Sequence, residues 1–342
     1  MDTSILGRLF EMTPDLMREV ELRALVLERV AALEPVGRRA LAARLHLAER
    51  EVRSAADALK ASGCIALSAA GMELTEKGRN LIETARAVSR SRRSLVSAET
   101  ALAGRLNVER VCVVHGDADK DASVMEAAAK AAAQHVRLLL HDVRVLAVSG
   151  GELMAQTAQE LAPAAPIDVI IVPAQGGTGG RIRSQANTVA EAFAAKLGGQ
   201  SRILHLPEGL SQEAERGLAY MPQVREALEL ARSAELALYA IDGALSAALV
   251  RGMNPAERMD LMKSGAVAEA FGCYFDAEGR MVGAKTAHVL NPHEIGGRVK
   301  AAAIAVGHSR AEAIIALCLH HPHRLIITDE GAAHRMMELL RV

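Results

Sequence analysis

Apolar positions in roughly the first ninety residues recur at helical spacing and are cut by breakers at short intervals, whereas those beyond residue 110 fall in continuous blocks of four. Leu22, Leu25, Val26, Val30 and Leu33 form a helical stripe. Pro35 and Gly37 end it, because proline cannot continue the hydrogen-bond ladder. Arg38 to Leu45 then reads as a short second helix, His46-Leu47-Ala48 as a turn, and Glu49 to Ala61 as a third helix that buries Val52, Ala55, Ala56 and Leu59. Cys64 to Leu67 and Met72 to Leu74, joined through Ser68 to Gly71, read as a hairpin before Thr75 to Gly78 opens another helix. Three helices and a hairpin within about sixty residues predict a winged helix-turn-helix, placed in residues 1–78. In that motif the third helix enters the major groove, which makes Arg38, Arg39, Arg50, Arg53 and Ser54 the candidate DNA contacts.

Residues 79–106 carry Leu81, Ile82, Ala85, Val88, Leu95, Val96, Ala98 and Leu102 with many arginines and no proline, and are expected to form a linker helix interrupted around Ser89 to Ser94. Such a helix can carry a subunit interface or simply pack on its own domain. From residue 107 to 342 one unit repeats. Blocks at 111–114, 145–148, 169–172, 203–206, 236–239, 303–306 and 325–328 are short and largely apolar, and most are separated by helical stretches. Continuous apolar strands alternating with helices predict an α/β domain with a parallel, Rossmann-like sheet covered on both faces. Ligands of such sheets bind beyond the carboxyl ends of the strands. The loops there are Ser149-Gly150-Gly151, which should offer free backbone N–H groups at a helix start, then Gln175 to Gly180, Ile241-Asp242-Gly243, Gly307 to Arg310 and Thr328 to Gly331. Several glycine turns along one sheet edge point to a pocket for a small polar, phosphorylated ligand.

Charge sharpens the division. Residues 1–105 hold 17 Lys/Arg against 14 Asp/Glu, and residues 106–342 hold 23 against 27, within a chain of net charge −1. A modest positive excess confined to one module suits phosphate contacts without indiscriminate nucleic-acid binding. No uncharged apolar run is long enough to span a membrane, and the N-terminus lacks a signal-peptide pattern, so a cytoplasmic protein is expected. Cys64, Cys112, Cys273 and Cys318 stand singly on apolar segments and read as buried thiols, not metal ligands. His320-His321-Pro322-His323 lacks a second ligand group nearby and reads as a solvent-facing loop; neither a metal nor a cofactor is expected.

The runs Pro35-Val36-Gly37-Arg38-Arg39, Glu49 to Ser54 and Gly71 to Thr75, together with Gln185 to Thr188, Ala266 to Phe275 and Ile327 to Ala333, resemble the central glycolytic genes regulators of the SorC group. The resemblance spans almost the whole chain. It implies an effector domain similar to the sugar-phosphate isomerase and deaminase fold, and a repressor that responds to a phosphorylated glycolytic sugar, typically fructose 1,6-bisphosphate. On the matching positions it implies an effector site of Ser149, Gly150, Gly151, Glu152, Gln175, Gln185, Arg251, Glu269 and Arg310. Five positions depart from the pattern. Glu152 and Leu153 replace two threonines, Gln175 an arginine, and Val250 the first of two arginines, leaving Arg251; Arg310 replaces a lysine and keeps its charge. Losing hydroxyls and guanidinium groups while gaining a carboxylate should weaken a doubly phosphorylated ligand, since charge-assisted bonds are each worth about 1.5 to 3 kcal/mol.

Two functions compete. The first is an effector-controlled transcription factor acting on operator DNA as a homodimer or homotetramer, because two recognition helices must reach major grooves about 34 to 36 Å apart. The alternative is a sugar-phosphate isomerase or deaminase with an appended DNA-binding domain. Glu152, Asp242, Glu269 and Asp329 are its candidate bases, but no paired acid and base can be recognised among them.

Overall fold

The computed structural model describes residues 14–162, 166–177, 181–207, 209–284, 289–290 and 297–342. Contacts divide the chain into two compact units at Ser97/Ala98.

In the first unit, α1 (Pro14–Leu33), α2 (Arg38–Leu45) and α3 (Glu49–Ala61) precede a hairpin of β1 (Ile65–Ser68) and β2 (Gly71–Leu74). The apolar stripes meet as the pattern requires: Val26, Val30, Leu41, Val52, Ala56, Ile65 and Met72 form one buried core. The turn between α2 and α3 is tight because His46 takes a left-handed conformation, and its N–H reaches the carbonyls of Ala42 and Ala43. Val36 exchanges backbone hydrogen bonds with Met72, pinning the α1–α2 connection to the hairpin. Gly71 permits that approach, since a Cβ there would stand 2.7 Å from the Val36 backbone. Thr75 then caps α4 (Glu76–Leu106), its hydroxyl accepting from the Gly78 N–H at 3.1 Å. This helix is continuous through Ser89 to Ser94, which corrects the expected interruption. Serines and arginines lower the apolar content there, but without proline or a buried glycine nothing breaks the ladder.

The second unit is built on a seven-stranded parallel sheet in the order β3 (Val111–Val114), β13 (Leu325–Asp329), β12 (Lys300–Ile304), β7 (Leu236–Ala240), β4 (Val145–Val148), β5 (Ile170–Pro173), β6 (Gln200–Ser201). Helices α5 (Ser123–Leu139), α6 (Glu152–Glu160) and α7 (Ala186–Leu197) share a core with Leu146, Val148, Ile171, Leu236, Leu238, Ile304 and Ile327. The intervening Val145, Ala147, Val172, Tyr239, Ala303 and Ile326 are buried too, so both faces of the sheet are covered. That is what continuous apolar strands demand.

Two strands depart from the sequence reading. Ile203 to Leu206 is not a strand; β6 lies just before it, and Asn187 holds the Leu204 backbone from both sides, its carbonyl accepting at 2.9 Å and its amide donating at 3.0 Å. The sixth predicted strand begins earlier, at Lys300, because its first half is alanine and carries little β signal. After β7 comes a second, antiparallel sheet in the order β11 (Met281–Ala284), β10 (Cys273–Asp276), β9 (Ala266–Ala270), β8 (Asp242–Gly243). Between β8 and β9, α10 (Ala244–Val250) and α11 (Pro255–Lys263) pack Ala247, Ala248 and Leu261 against Ala266 and Tyr274. Two further helices, α8 (Gln212–Ala219) and α9 (Pro222–Arg232), lead into β7, while α12 (Ala311–His320) and α13 (Glu330–Leu340) flank β13.

Candidate functional site

The residues expected to contact DNA lie on α2 and α3. Arg39, Arg50, Arg53 and Ser54 are exposed and Arg38 is half-buried. Three of the four arginines are held by carboxylates of α3. Arg38 meets Asp57 at 3.3 Å, Arg39 meets Glu49 at 3.2 Å, and Arg53 meets Glu49 at 2.8 Å. Arg50 has no ion pair among the described residues. The hydrogen bond from Arg53, with support from Arg39, holds the Glu49 carboxyl below its ordinary pKa.

The residues expected to form an effector site gather at the carboxyl edge of the parallel sheet, around the point where strand order reverses between β4 and β7. Ser149 marks that point. Its N–H donates to Leu238 O at 3.1 Å and its hydroxyl accepts from Ala240 N at 3.1 Å, tying the end of β4 to β7. Gly150 lets the chain run against the start of α7, where a Cβ would stand 2.7 Å from Ser184 O. Gly151 adopts φ 115° and donates its N–H to the same carbonyl at 2.9 Å, so that group is not free for an anion, contrary to the sequence reading. Gln175 is buried beside Gly150, and Gln185 precedes α7. Thr178, Gly179 and Gly180 lie outside the described residues. Glu152 opens α6 with its carboxylate paired to Arg183 at 2.7 Å.

Across the switch point, antiparallel pairing sets Asp242 opposite Glu269. Glu269 accepts from Arg251 at 2.8 Å and from Gly272 N at 2.6 Å, and the Arg251 and Glu269 side chains are only 12% and 9% exposed. Arg251 reaches it from the end of α10. Arg310 binds Asp242 at 2.9 Å and Asp119 at 3.3 Å from the turn after β12. Arg183, Arg251 and Arg310 are therefore each matched to a carboxylate of the protein.

Sequence reasoning named Asp329 only as a candidate base and missed Asp117 and Asp119, which together fasten these loops. Asp329, fully buried, accepts from the backbone N–H groups of Ala118 at 2.7 Å, Gly307 at 2.8 Å and Ala332 at 2.9 Å. It joins three loops and caps α13, the work of a clamp and not of a base. Asp117, Asp119 and His308 bring ligand-type atoms within 4.8 Å of one another, but Lys120 at 3.0 Å and Arg310 supply positive charge in the same cluster. Burial alone would raise the Asp117 carboxyl; hydrogen bonds from Lys120 and from the ring and backbone of His308 outweigh it and bring it down to about 2.

The histidine run is corrected. His321 and His323 are buried, not solvent-facing. His321 meets the edge of Phe275, and His323 Nε2 lies 2.5 Å from the Tyr239 hydroxyl with Cys318 Sγ 3.8 Å from its other ring nitrogen. Burial presses the His323 imidazole down to about 4 and pushes the Cys318 thiol up to about 12. None of the four cysteines is in a disulfide; Cys64, Cys273 and Cys318 are buried and Cys112 is half-buried. Among the described residues no helix is long and apolar enough to cross a membrane.

Comparison with known proteins matches this architecture from end to end. Residues 92–338 fit the family described as "Putative sugar-binding domain", and residues 20–88 fit the CggR N-terminal DNA binding domain. The chain is 32% identical over 330 residues to the central glycolytic genes regulator of Priestia megaterium, covering 96% of each. It is 31% identical over 328 residues to the protein of that name from Bacillus subtilis, again covering 96% of each. The crystal structure of a SorC family transcriptional regulator from Enterococcus faecalis superposes with a TM-score of 0.65 at 32% identity, over 70% of this chain and 99% of that one. The chain belongs to the central glycolytic genes regulator family, SorC-type transcriptional regulators in which a DNA-binding domain precedes a sugar-binding one.

Proposed function

We propose that this protein represses central glycolytic genes by binding operator DNA, and that a phosphorylated sugar changes its grip. Residues 1–78 serve as the DNA-binding domain, 79–106 as the linker helix, and 107–342 as the effector-binding and oligomerisation domain. Arg38, Arg39, Arg50, Arg53 and Ser54 contact the operator. Ser149, Gly150, Gly151, Glu152, Gln175, Gln185, Arg251, Glu269 and Arg310 surround the effector. A homodimer or homotetramer places two recognition helices in successive major grooves, and the protein works in the cytoplasm where its operators are.

The observation that carries this reading is the convergence of the Arg251–Glu269 and Arg310–Asp242 pairs with the Ser149 loop at the switch point, on a chain that also bears a DNA-binding domain. A sugar brings hydroxyls that suit carboxylates and a phosphate that suits guanidinium groups, so it can enter both pairs. By linkage, a ligand that prefers one arrangement of the DNA-binding heads shifts operator affinity by its differential affinity for the two states. The carboxylates support a regulator over an isomerase: Glu152, Asp242, Glu269 and Asp329 all accept bonds from arginines or backbone N–H groups, which suits binding and not proton abstraction.

The test is a thermal-shift titration with fructose 1,6-bisphosphate and fructose 6-phosphate, followed by operator binding in the presence of whichever stabilises the protein. A ligand at a hundred times its dissociation constant adds about 2.7 kcal/mol, an easily read shift. Stabilisation together with altered operator affinity is expected. Turnover of either sugar phosphate, abolished by Glu269→Gln, would establish the isomerase reading instead.

A further inference from the structure

Glu49, the first residue of α3, stands among the arginines of the DNA-reading face and accepts from two of them, Arg53 at 2.8 Å and Arg39 at 3.2 Å. Glu49, Arg53 and Asp57 are spaced four apart and so form one row of the helix, with Arg38 joined to its far member. A carboxylate in this place is costly for DNA binding as such. It is repelled by every phosphate backbone and partly neutralises the side chains that would bind one. Nor is it needed to start the helix, because the Ala48 N–H is already bonded by the Glu51 carboxylate at 3.1 Å.

We infer that Glu49 is a specificity-determining residue of the DNA interface, accepting a hydrogen bond from the amino group of a cytosine in the major groove. The inference rests on the DNA-regulator reading. Residues at the start of a recognition helix are the ones that reach base edges, and the cytosine N4 amino group is the base donor a carboxylate pairs with. Arginine forks pair with guanine O6 and N7. Glu49 holds two such forks beside itself, so the set Arg39–Glu49–Arg53 matches a cytosine with guanine close by on either strand. On such a site the carboxylate finds a donor and both arginines keep partners. On other DNA it faces phosphates with nothing to accept from, and binding is weakened.

The experiment is selection of binding sites from a random duplex pool with the full chain as wild type, Glu49→Gln and Glu49→Ala, with affinities for the selected site and for random DNA measured by fluorescence anisotropy over a salt series. Glutamine and alanine are both good helix formers, so α3 survives either change. The wild type is expected to select a position that is uniformly cytosine. Glu49→Gln should turn that position to adenine, the base whose N6 and N7 suit an amide. Glu49→Ala should leave it unspecified while the rest of the consensus persists. Both variants should bind random DNA several-fold tighter, with a salt slope steeper by about one unit, and discriminate about tenfold less. An unchanged consensus in Glu49→Ala overturns the proposal, and so does an equal loss of affinity for all sequences, which would mean a structural role. A wild type that selects no sequence overturns the DNA-regulator reading, and the proposal falls with it.

Discussion

The two units spend the same kind of interaction differently. On the proposed DNA-reading face the carboxylate–arginine pairs are open to solvent, with the Arg39 and Arg53 side chains 86% and 57% exposed. Pairs of that kind are worth about 0 to 1 kcal/mol and exchange readily for phosphates. At the switch point of the parallel sheet, Arg251 and Glu269 are almost withdrawn from water and locked by a further bond to Gly272 N. A buried pair repays its desolvation only while both partners are present. Under the proposed function, the first arrangement lets DNA compete, and the second lets a ligand in only if it replaces what it displaces. That contrast is what a switch needs: a low-cost, reversible grip at one end and a demanding lock at the other.

Removing one side of the lock is expected to have the largest effect. Glu269→Ala removes the carboxylate paired to the buried Arg251 guanidinium, at a cost of about 3 to 5 kcal/mol in urea denaturation monitored on the second unit. The matching change on the exposed face, Glu49→Ala, should cost far less in urea denaturation monitored on the first unit. Equal losses from the two would break the comparison.

Acid sharpens it. The imidazole of His323, buried against Tyr239, holds its pKa at about 4 in the folded protein, while the unfolded chain titrates near 6.5. A depressed folded value means stability that is fully present above pH 6.5 and is lost as the pH falls toward 4, because the unfolded state takes up the proton first. The second unit should therefore soften from about pH 6.5 downward, by up to a few kcal/mol. The first unit depends on Glu34 and Glu49, whose lowered carboxyls are lost only below the ordinary carboxylate range. Circular-dichroism melts of His323→Gln across pH 7 to 4 should show the slope flattened; an unchanged slope would exclude His323 as its source.

On the exposed face the effects are smaller and read through DNA. Arg53→Ala should cost about 1 to 3 kcal/mol of operator affinity if the fork reads a base, and Arg38→Ala should weaken binding to all sequences and lower the salt slope by about one unit if it holds a phosphate. Anisotropy titrations on operator and random DNA separate the two behaviours. Unchanged operator binding in both variants would remove this surface from the interface.

How much of this was legible in the chain follows from where each signal lives. The helix-turn-helix could be read because amphipathic periodicity and breakers are local, and the parallel sheet because its strands are apolar on both faces. The antiparallel sheet around Glu269 was not, since β9 and β10 are buried almost throughout and show no alternation, and their tight turn is made by Phe271 at φ 55° with Gly272 at 78°, an uncommon residue for that conformation. Ile203 to Leu206 misled for the opposite reason, being apolar but held by the Asn187 side chain instead of a ladder. The positions of the candidate effector residues were inferred by resemblance, yet Arg183 and Asp119, which pair with Glu152 and Arg310, were not, because they are brought in by loops from other parts of the chain. His323 was misjudged because a run of histidines beside a proline reads as polar, while Tyr239, 84 residues away, supplies the partner that permits burial.

The least expensive change tests the ligand itself. Glu152 sits in the first turn of α6, where the helix N-terminus and Arg183 would both attract an anion, and the anion already there is its own carboxylate, 2.7 Å from that arginine. A second phosphate must displace this carboxylate, while a singly phosphorylated sugar can leave it in place and use Arg310 and Arg251. Glu152→Thr removes the competing charge, frees Arg183 and supplies a hydroxyl. Fructose 1,6-bisphosphate should then bind the variant about tenfold tighter than it binds the wild type, roughly 1.4 kcal/mol, as expected when one charge-assisted bond is regained. Fructose 6-phosphate should bind both proteins alike, because nothing it touches has changed. Isothermal titration of both sugars against both proteins gives the answer directly. Equal gains for the two sugars would show that Glu152 acts on the pocket's overall potential and not at one phosphate position, and no change for either would place the ligand away from α6.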